Sequence, residues 1–333
     1  MNKKDYFNGK TILITGGTGS FGKNFVKLLL NGHQPRKIII FSRDEFKQYR
    51  MQQEIQDDSL RFFIGDVRDL PRLERAFSDV DIVIHAAALK QVPTLEYNPF
   101  EAIKTNILGS QNVIEAAINQ KVRKVLFISS DKAVQPISLY GATKLCGEKL
   151  FVTANFYAPD KTLFSVVRYG NVLGSRGSII ETLLENNKNG VQSVKITDPK
   201  MTRFWITLEQ SFNLVMFALN KMEGGEIFVP NIPSMNLGEL FNAVVPDIKK
   251  EVIGLRPGEK MHEILITEDE ARKTFLFDSC YVILPEISSR DGIYGKYHQN
   301  GKKLVKNFRF ASDTNKIQLT KKNIIEKIEA SLL

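Results

Sequence analysis

The stretch Thr11-Ile-Leu-Ile-Thr-Gly-Gly-Thr-Gly-Ser-Phe-Gly-Lys-Asn-Phe-Val26 narrows the possible folds more than any other part of the chain. Its first five residues read as a buried strand and its last ones begin a helical pattern. Between them stand Gly16, Gly17, Gly19 and Gly22. Glycines let a backbone turn sharply and approach a pyrophosphate, and the helix that follows offers it free N–H groups and a positive dipole. Such spacing alone also occurs in plain tight turns. Strand, glycines and helix in that order are the context of dinucleotide binding.

Further apolar runs stand at 37–42, 60–66, 81–87, 124–130, 164–170 and 226–230. Their Ile, Val, Leu and Phe occupy consecutive positions rather than alternate ones, the pattern of parallel strands buried on both faces. The stretches between the early runs are long enough for crossover helices. The expected fold class is therefore α/β, a doubly wound parallel sheet. After Gly170 the rhythm breaks. Residues 1–170 are expected to form the dinucleotide domain, with 205–230 returning to it through a helix at 208–222. Residues 171–204 and 231–333 are expected to form a smaller substrate-binding domain, closed by an amphipathic packing helix at 321–333. A length of 333 residues suits two such parts, and 43% hydrophobic residues supply a core without staples.

Cys146 and Cys280 lie too far apart for a disulfide framework or a zinc motif, which suits a reducing compartment. His33, His85, His262 and His298 show no metal-ligand spacing, and no metal is expected. The start is polar, and no apolar run approaches the ~20 residues that span a bilayer. A cytoplasmic protein with no membrane partner is expected. The net charge of +9 reads as a Lys-rich solvated surface that favours anionic ligands. No nucleic-acid motif accompanies it, and no nucleic-acid partner is expected.

Gly16, Thr18, Gly19, Ser20, Phe21 and Gly22 are the candidate phosphate cradle. The second strand ends in Ser42-Arg43-Asp44, with Lys47 one helical turn on. Arg43 and Lys47 suit the 2′-phosphate of NADP, whereas Asp44 would accept the ribose hydroxyl of NAD. NADP is the favoured cofactor and NAD the alternative. Asp66 and Val67, after the third strand, are candidates to meet the adenine. Ala86, Ala87 and Ala88 let the backbone lie close to the cofactor, and Lys90 can meet cofactor or sugar. His85, inside a strand, reads as a buried structural histidine.

The chemistry concentrates in Ser129-Ser130-Asp131-Lys132-Ala133 and in Tyr140 and Lys144 beyond it. Tyr140 and Lys144 are four apart, on one face of a helix. A nearby ammonium lowers a tyrosine pKa from its usual ~10, so the phenolate can take a proton from a substrate hydroxyl while hydride leaves the same carbon. Asp131 and Lys132 add an acid and an amine that a simple dehydrogenase does not need.

With these residues the chain resembles the extended short-chain dehydrogenase/reductase superfamily, whose Rossmann domain carries the glycine pattern, the Tyr-x-x-x-Lys pair, a hydroxyl residue at Ser130 and an asparagine at Asn106. Asp66-Val-Arg-Asp69, His85-Ala-Ala-Ala-Leu-Lys90, Glu96-Tyr-Asn-Pro99, Arg168-Tyr-Gly-Asn171, Gly174-Ser-Arg-Gly-Ser178, Met201-Thr-Arg-Phe-Trp205 and Arg256-Pro-Gly-Glu-Lys260 are similar to the inverting UDP-N-acetylglucosamine 4,6-dehydratases. The resemblance implies oxidation at C4, removal of the C5 proton by Lys132, loss of water from C6 with Asp131 as acid, and return of hydride to C6. It also implies cofactor contacts at Ser129 and Asn106, and substrate contacts at Lys90, Asn171, Arg203, Arg256 and Glu259. Arg203 and Arg256 suit a UDP pyrophosphate by charge-assisted bonding. Cofactor recycled within the turnover, a place in pseudaminic acid biosynthesis and a homo-oligomer are further implications. Two residues depart from the family pattern: Ser130 replaces its usual threonine and Gln135 its usual asparagine. A nucleotide-sugar 4-epimerase, a retaining dehydratase and a non-catalytic cofactor-binding regulator are the alternatives.

Overall fold

The computed structural model describes residues 6–159, 161–175, 177–287 and 292–332. Arg176, Leu333 and the start of the chain before Tyr6 lie outside the described residues. The strands are β1 Thr11–Thr15, β2 Lys37–Ser42, β3 Leu60–Ile64, β4 Ile82–His85, β5 Lys124–Ile128, β6 Leu163–Val167, β7 Asn171–Val172, β8 Ser193–Ile196, β9 Thr202–Ile206, β10 Ile227–Pro230, β11 Ser234–Asn236, β12 Lys249–Val252, β13 Ile264–Ile266, β14 Thr274–Phe277, β15 Cys280–Ile283, β16 Lys302–Lys303 and β17 Phe310–Ala311.

The main sheet has the order β16-β14-β15-β10-β6-β5-β4-β1-β2-β3. From β3 to β10 every pairing is parallel. This is the doubly wound α/β sheet that the continuous apolar runs predict. Both faces are covered: Ile12 and Ile14 join one apolar core, Leu13 and Phe41 the other. The chain reverses its winding between β1 and β4, so a crevice opens beyond the carboxyl ends of those strands. Several strands end earlier than the apolar runs do. Gly65–Asp66, Ala86–Ala87 and Ser129–Ser130 leave the sheet and line that crevice instead.

One expectation needs correction. Residues 231–333 are not wholly apart from the main sheet, because β14 and β15 form a hairpin that pairs antiparallel with β10, and β16 extends it. The turn is Asp278-Ser279, with Asp278 at φ 54. An aspartate tolerates this left-handed geometry, and a turn without glycine leaves only a weak signal. Helix Leu208–Lys221 packs beside helix Ser20–Gly32, with the ring of Phe212 centred 4.9 Å from that of Phe25.

The smaller part has its own core, in which Trp205, Leu240 and Phe241 meet Ile324 and Ile328 of the last helix. That helix, Lys321–Leu332, is thus a packing element. No described helix is long and apolar enough to cross a membrane.

Candidate active site

A cleft of about 1220 Å³ runs from the glycine loop into the smaller part. Gly16, Thr18, Gly19, Ser20 and Phe21 line its floor. Gly16 sits at φ 66, and a Cβ there would come within 2.9 Å of the Ala87 backbone. Helix Ser20–Gly32 starts at Gly19 with no side-chain cap, so its first N–H groups face the cleft for an anion to take. Gly22 was expected among the cradle residues, but it does not line the cleft. A Cβ there would run into the Gly17 backbone, so its job is to let helix and turn pack closely.

At the end of β2, Ser42, Arg43, Asp44 and Lys47 all line the cleft. Gln48 fixes Ser42 by donating to its hydroxyl (3.0 Å) and carbonyl (3.1 Å). Asp44 caps the next helix by accepting from the Lys47 N–H and pairs with its Nζ at 2.8 Å, so its carboxylate is committed locally. The Arg43 guanidinium is half exposed and lies 3.6 Å from Asp66. Asp66 is itself held by Arg68 at 2.6 Å; burial opposes its charge, yet Arg68 keeps its carboxyl below the usual range. Val67 and the Ala86–Ala88 run complete this side, with Lys90 beyond.

His85 is buried, within 2.7 Å of the Thr15 hydroxyl and 3.1 Å of the Ser110 hydroxyl. Burial pushes its pKa down to about 3, and it stacks on Phe127 and Phe151 as a neutral structural ring. Asn106 is a second correction. It is buried in a π-helical turn, Ile103–Leu108, and does not line the cleft. Its amide accepts from Leu89 N–H at 2.8 Å and donates to Leu89 O at 2.9 Å and Thr143 Oγ1 at 3.0 Å. It thereby ties the loop after β4 to the helix that carries Tyr140.

Ser130 caps a short 3₁₀ turn, Asp131–Ala133. Asp131 is fully buried: Ser130 Oγ donates to its Oδ1 at 2.8 Å, and Lys132 Nζ at 3.0 Å, while Oδ2 has no hydrogen-bond partner. Burial raises the proton affinity of Asp131 against the pull of Lys132. Lys132 is no solvated loop lysine. Its Nζ also lies 3.4 Å from Glu263 Oε1 and 3.5 Å from Asn171 Oδ1, and the two carboxylates outweigh burial to hold it as an ammonium.

Tyr140 and Lys144 share a face of helix Leu139–Thr153, which Ser138 caps, and both line the cleft. The expected pKa effect between them is the third correction. Burial raises the Tyr140 phenol, the charge that opposes this is that of Lys132, and Ser130 adds a hydrogen bond. Lys144 donates to the Ile128 carbonyl at 2.5 Å and lies 4.0 Å over the Phe127 ring, and burial pushes it down to about 7. A lysine depressed in the folded state costs stability most at low pH, and the cost shrinks as pH rises toward the ordinary lysine value. Lys144→Met is expected to raise the melting temperature by about 2–4 °C at pH 6 and by less at pH 9, measured by calorimetry of the protein alone.

Ser129 lines the cleft but gives its hydroxyl to Glu148 at 2.6 Å, within a buried Glu148–Arg168–Glu270 network. Arg203 lines the cleft with NH1 donating to Thr202 O (2.8 Å) and Met261 O (3.2 Å). Arg256 is exposed on the rim, where its N–H meets Glu259. Glu263, buried beneath Lys132, escapes sequence reasoning. Its signal is proximity: it lies three residues past the Arg256–Lys260 motif. Among the described residues no His, Cys, Asp and Glu cluster suits a metal ion.

Residues 12–285 match the family model described as polysaccharide biosynthesis protein. The chain is 49% identical over 327 residues to a UDP-N-acetylglucosamine 4,6-dehydratase (inverting) of Campylobacter jejuni subsp. jejuni serotype O:23/36, covering 97% of this chain and 98% of that one. It is 43% identical over 307 residues to a UDP-glucose 4-epimerase of Rickettsia conorii, covering 90% and 89%. Among solved structures, Pen from Bacillus thuringiensis superposes with a TM-score of 0.89 at 38% identity, covering 98% and 99%.

Proposed function

The chain belongs to the polysaccharide biosynthesis protein family, and from that premise we propose that it is a cytoplasmic, NADP-dependent, inverting UDP-N-acetylglucosamine 4,6-dehydratase. Its product is UDP-2-acetamido-2,6-dideoxy-β-L-arabino-hexos-4-ulose, a precursor suited to pseudaminic acid. The observation that carries the reading is the buried Asp131 with Lys132 at 3.0 Å, on a turn beside Tyr140. A dehydrogenase or epimerase needs no such acid and amine.

The close Gly16–Ala87 approach and the uncapped helix after Gly19 fit a dinucleotide pyrophosphate. A nicotinamide bound there would supply the hydride acceptor for C4 and the hydride donor for C6, and C5 would regain a proton on the opposite face as C6 takes the hydride. Tyr140 takes the C4 hydroxyl proton. The C4 ketone acidifies C5, where Lys132 takes the proton. Asp131 gives a proton to the departing C6 hydroxyl. Lys132 must be neutral first, and its proton can cross the 3.0 Å contact to Asp131, whose burial favours the neutral acid. Lys90, Asn171, Arg203, Arg256 and Glu259 are the substrate-binding candidates, with the arginines suited to the pyrophosphate.

NADP is favoured over NAD because Asp44 is spent on capping and on Lys47, whereas Arg43 points a half-exposed guanidinium into the cleft. Arg43→Ala is expected to weaken NADP binding by about 10–100-fold, the loss of a charge-assisted phosphate contact, with NAD binding changed far less. Titration calorimetry with both cofactors checks this. Assembly as a homo-oligomer belongs to the same proposal, supported by the exposed rings of Tyr97, Phe100 and Tyr157.

Incubation with UDP-N-acetylglucosamine in deuterated water tests the whole reading by NMR. Dehydration, deuterium at C5 and an inverted C5 configuration are expected. A product of unchanged mass would instead give the 4-epimerase that the Rickettsia relative represents.

A further inference from the structure

Lys132 lies between two buried carboxylates, and the dehydratase mechanism employs only one of them. Glu263 is 2% exposed, and its Oε1 lies 3.4 Å from Lys132 Nζ and 3.9 Å from Arg203 Nε. Its Oε2 lies 3.5 Å from Lys260 Nζ and has no hydrogen-bond partner. A carboxylate in a desolvated place, with one oxygen met only by an ammonium at 3.5 Å and by no hydrogen bond, is costly, and local packing alone gives no return for it.

The segment holding Glu263 is fastened onto the catalytic turn. Lys260 Nζ donates to the Val134 carbonyl at 2.6 Å. The Glu263 N–H donates to Ser312 Oγ at 2.9 Å, and Val134 packs with Ile264 and Ala311. The carboxylate is thus presented to the amine by a braced backbone.

We propose that Glu263 is the positioning counter-charge of Lys132, raising the affinity of that amine for the proton it removes from the sugar carbon beside the C4 ketone. This rests on the dehydratase reading given above. In the step, the C5–H bond breaks, its electron pair stays in the enolate, and the proton goes to Lys132 Nζ. Asp131 hands a proton to the C6 oxygen, which departs as water. The cluster then holds Asp131 as carboxylate and Lys132 as ammonium, with Glu263 stabilising the ammonium. No net electron transfer is involved.

The groups facing Lys132 are Asp131 on its own turn, Tyr140 on the following helix, Arg203 on β9 and Glu263 before β13; Lys260 faces Glu263 from the other side. Arg203 and Lys260 keep Glu263 ionised: burial opposes its charge, but the three cations hold it low. Removing the Glu263 charge therefore lowers the proton affinity of Lys132.

The test is a pH profile of kcat/KM for UDP-N-acetylglucosamine dehydration by wild type, Glu263→Gln and Glu263→Asp. Glu263→Gln is expected to lose roughly 10–100-fold in kcat with KM within about threefold, since a stronger conjugate acid means a weaker base. Its rising limb moves to lower pH by about one unit. Glu263→Asp keeps the charge, so its limb stays near that of wild type whatever its rate. Equal loss at every pH with the limb unmoved in Glu263→Gln overturns the proposal, as does a Glu263→Asp limb displaced like that of the glutamine variant. If Glu263→Gln does not fold by circular dichroism, the aspartate limb alone decides. Wild type that makes no dehydrated product refutes the dehydratase reading itself, a separate result.

Discussion

Lys132→Ala is expected to stop water loss while the sugar is still oxidised. In the proposed mechanism the variant loses the C5 base, a contribution worth about 10²–10⁴-fold. Tyr140 and Lys144 remain in the cleft, so the C4 hydroxyl still gives up its proton and hydride. With no elimination to follow, hydride has no C6 acceptor. Reduced nicotinamide then builds up to about one equivalent per site, visible by absorbance, whereas wild type shows no net change. The oxidation itself slows at neutral pH, because Lys132 is the charge that favours the Tyr140 phenolate. Dehydration at the normal rate by this variant would remove Lys132 from the mechanism.

Tyr140→Phe is expected to show the opposite pattern. Without the phenol no group takes the C4 proton, so neither reduced cofactor nor dehydrated product forms, again with a loss of about 10²–10⁴-fold. Deuterium enters at C5 only after the ketone exists, so exchange disappears as well. Together the two variants order the steps: one stops before the ketone and the other after it. If Tyr140→Phe still exchanges C5 with solvent, the proton leaves without prior oxidation and the order is wrong.

The parallel sheet was legible because its inner strands are continuous apolar runs, the pattern that burial on both faces leaves, while edge strand β3 carries an exposed Arg61 and Ile64. The glycine loop was legible because the bends it needs are open to few other residues. Tyr140 and Lys144 were legible through helical spacing. What local pattern does not encode is the partner across space. Lys132 is marked as a base only through the resemblance, whereas the second carboxylate beside its amine, Glu263, is seen only in the fold. Its neighbour in energy stands over a hundred positions away in the chain. The tyrosine pKa was misjudged for the same reason: spacing places Lys144 near Tyr140, while the fold turns its amine to the Ile128 carbonyl. Asn106 and Gly22 belong to the family pattern, yet both serve the backbone rather than the cleft. A residue type recurring at one place says that something there requires it, not that a ligand does.

The hairpin of β14 and β15 bears on how such chains can be recombined. Residues 231–273 leave from β10 and re-enter at β14, and these two strands are separated in the sheet only by β15. Thr274 stands level with Ile227 rather than with Pro230, so two strand spacings of ~4.8 Å across and three residues of ~3.3 Å along pin the ends of this insertion about 14 Å apart. A graft that swaps 231–273 between relatives keeps both anchor points. A graft cut after Pro230 discards the hairpin, strips β10 of its antiparallel partner and leaves a row of unpaired N–H and C=O groups on a Val- and Phe-bearing edge. Chimaeras of the first kind should stay soluble and inherit the donor's sugar preference, whereas those of the second should aggregate before any preference can be read.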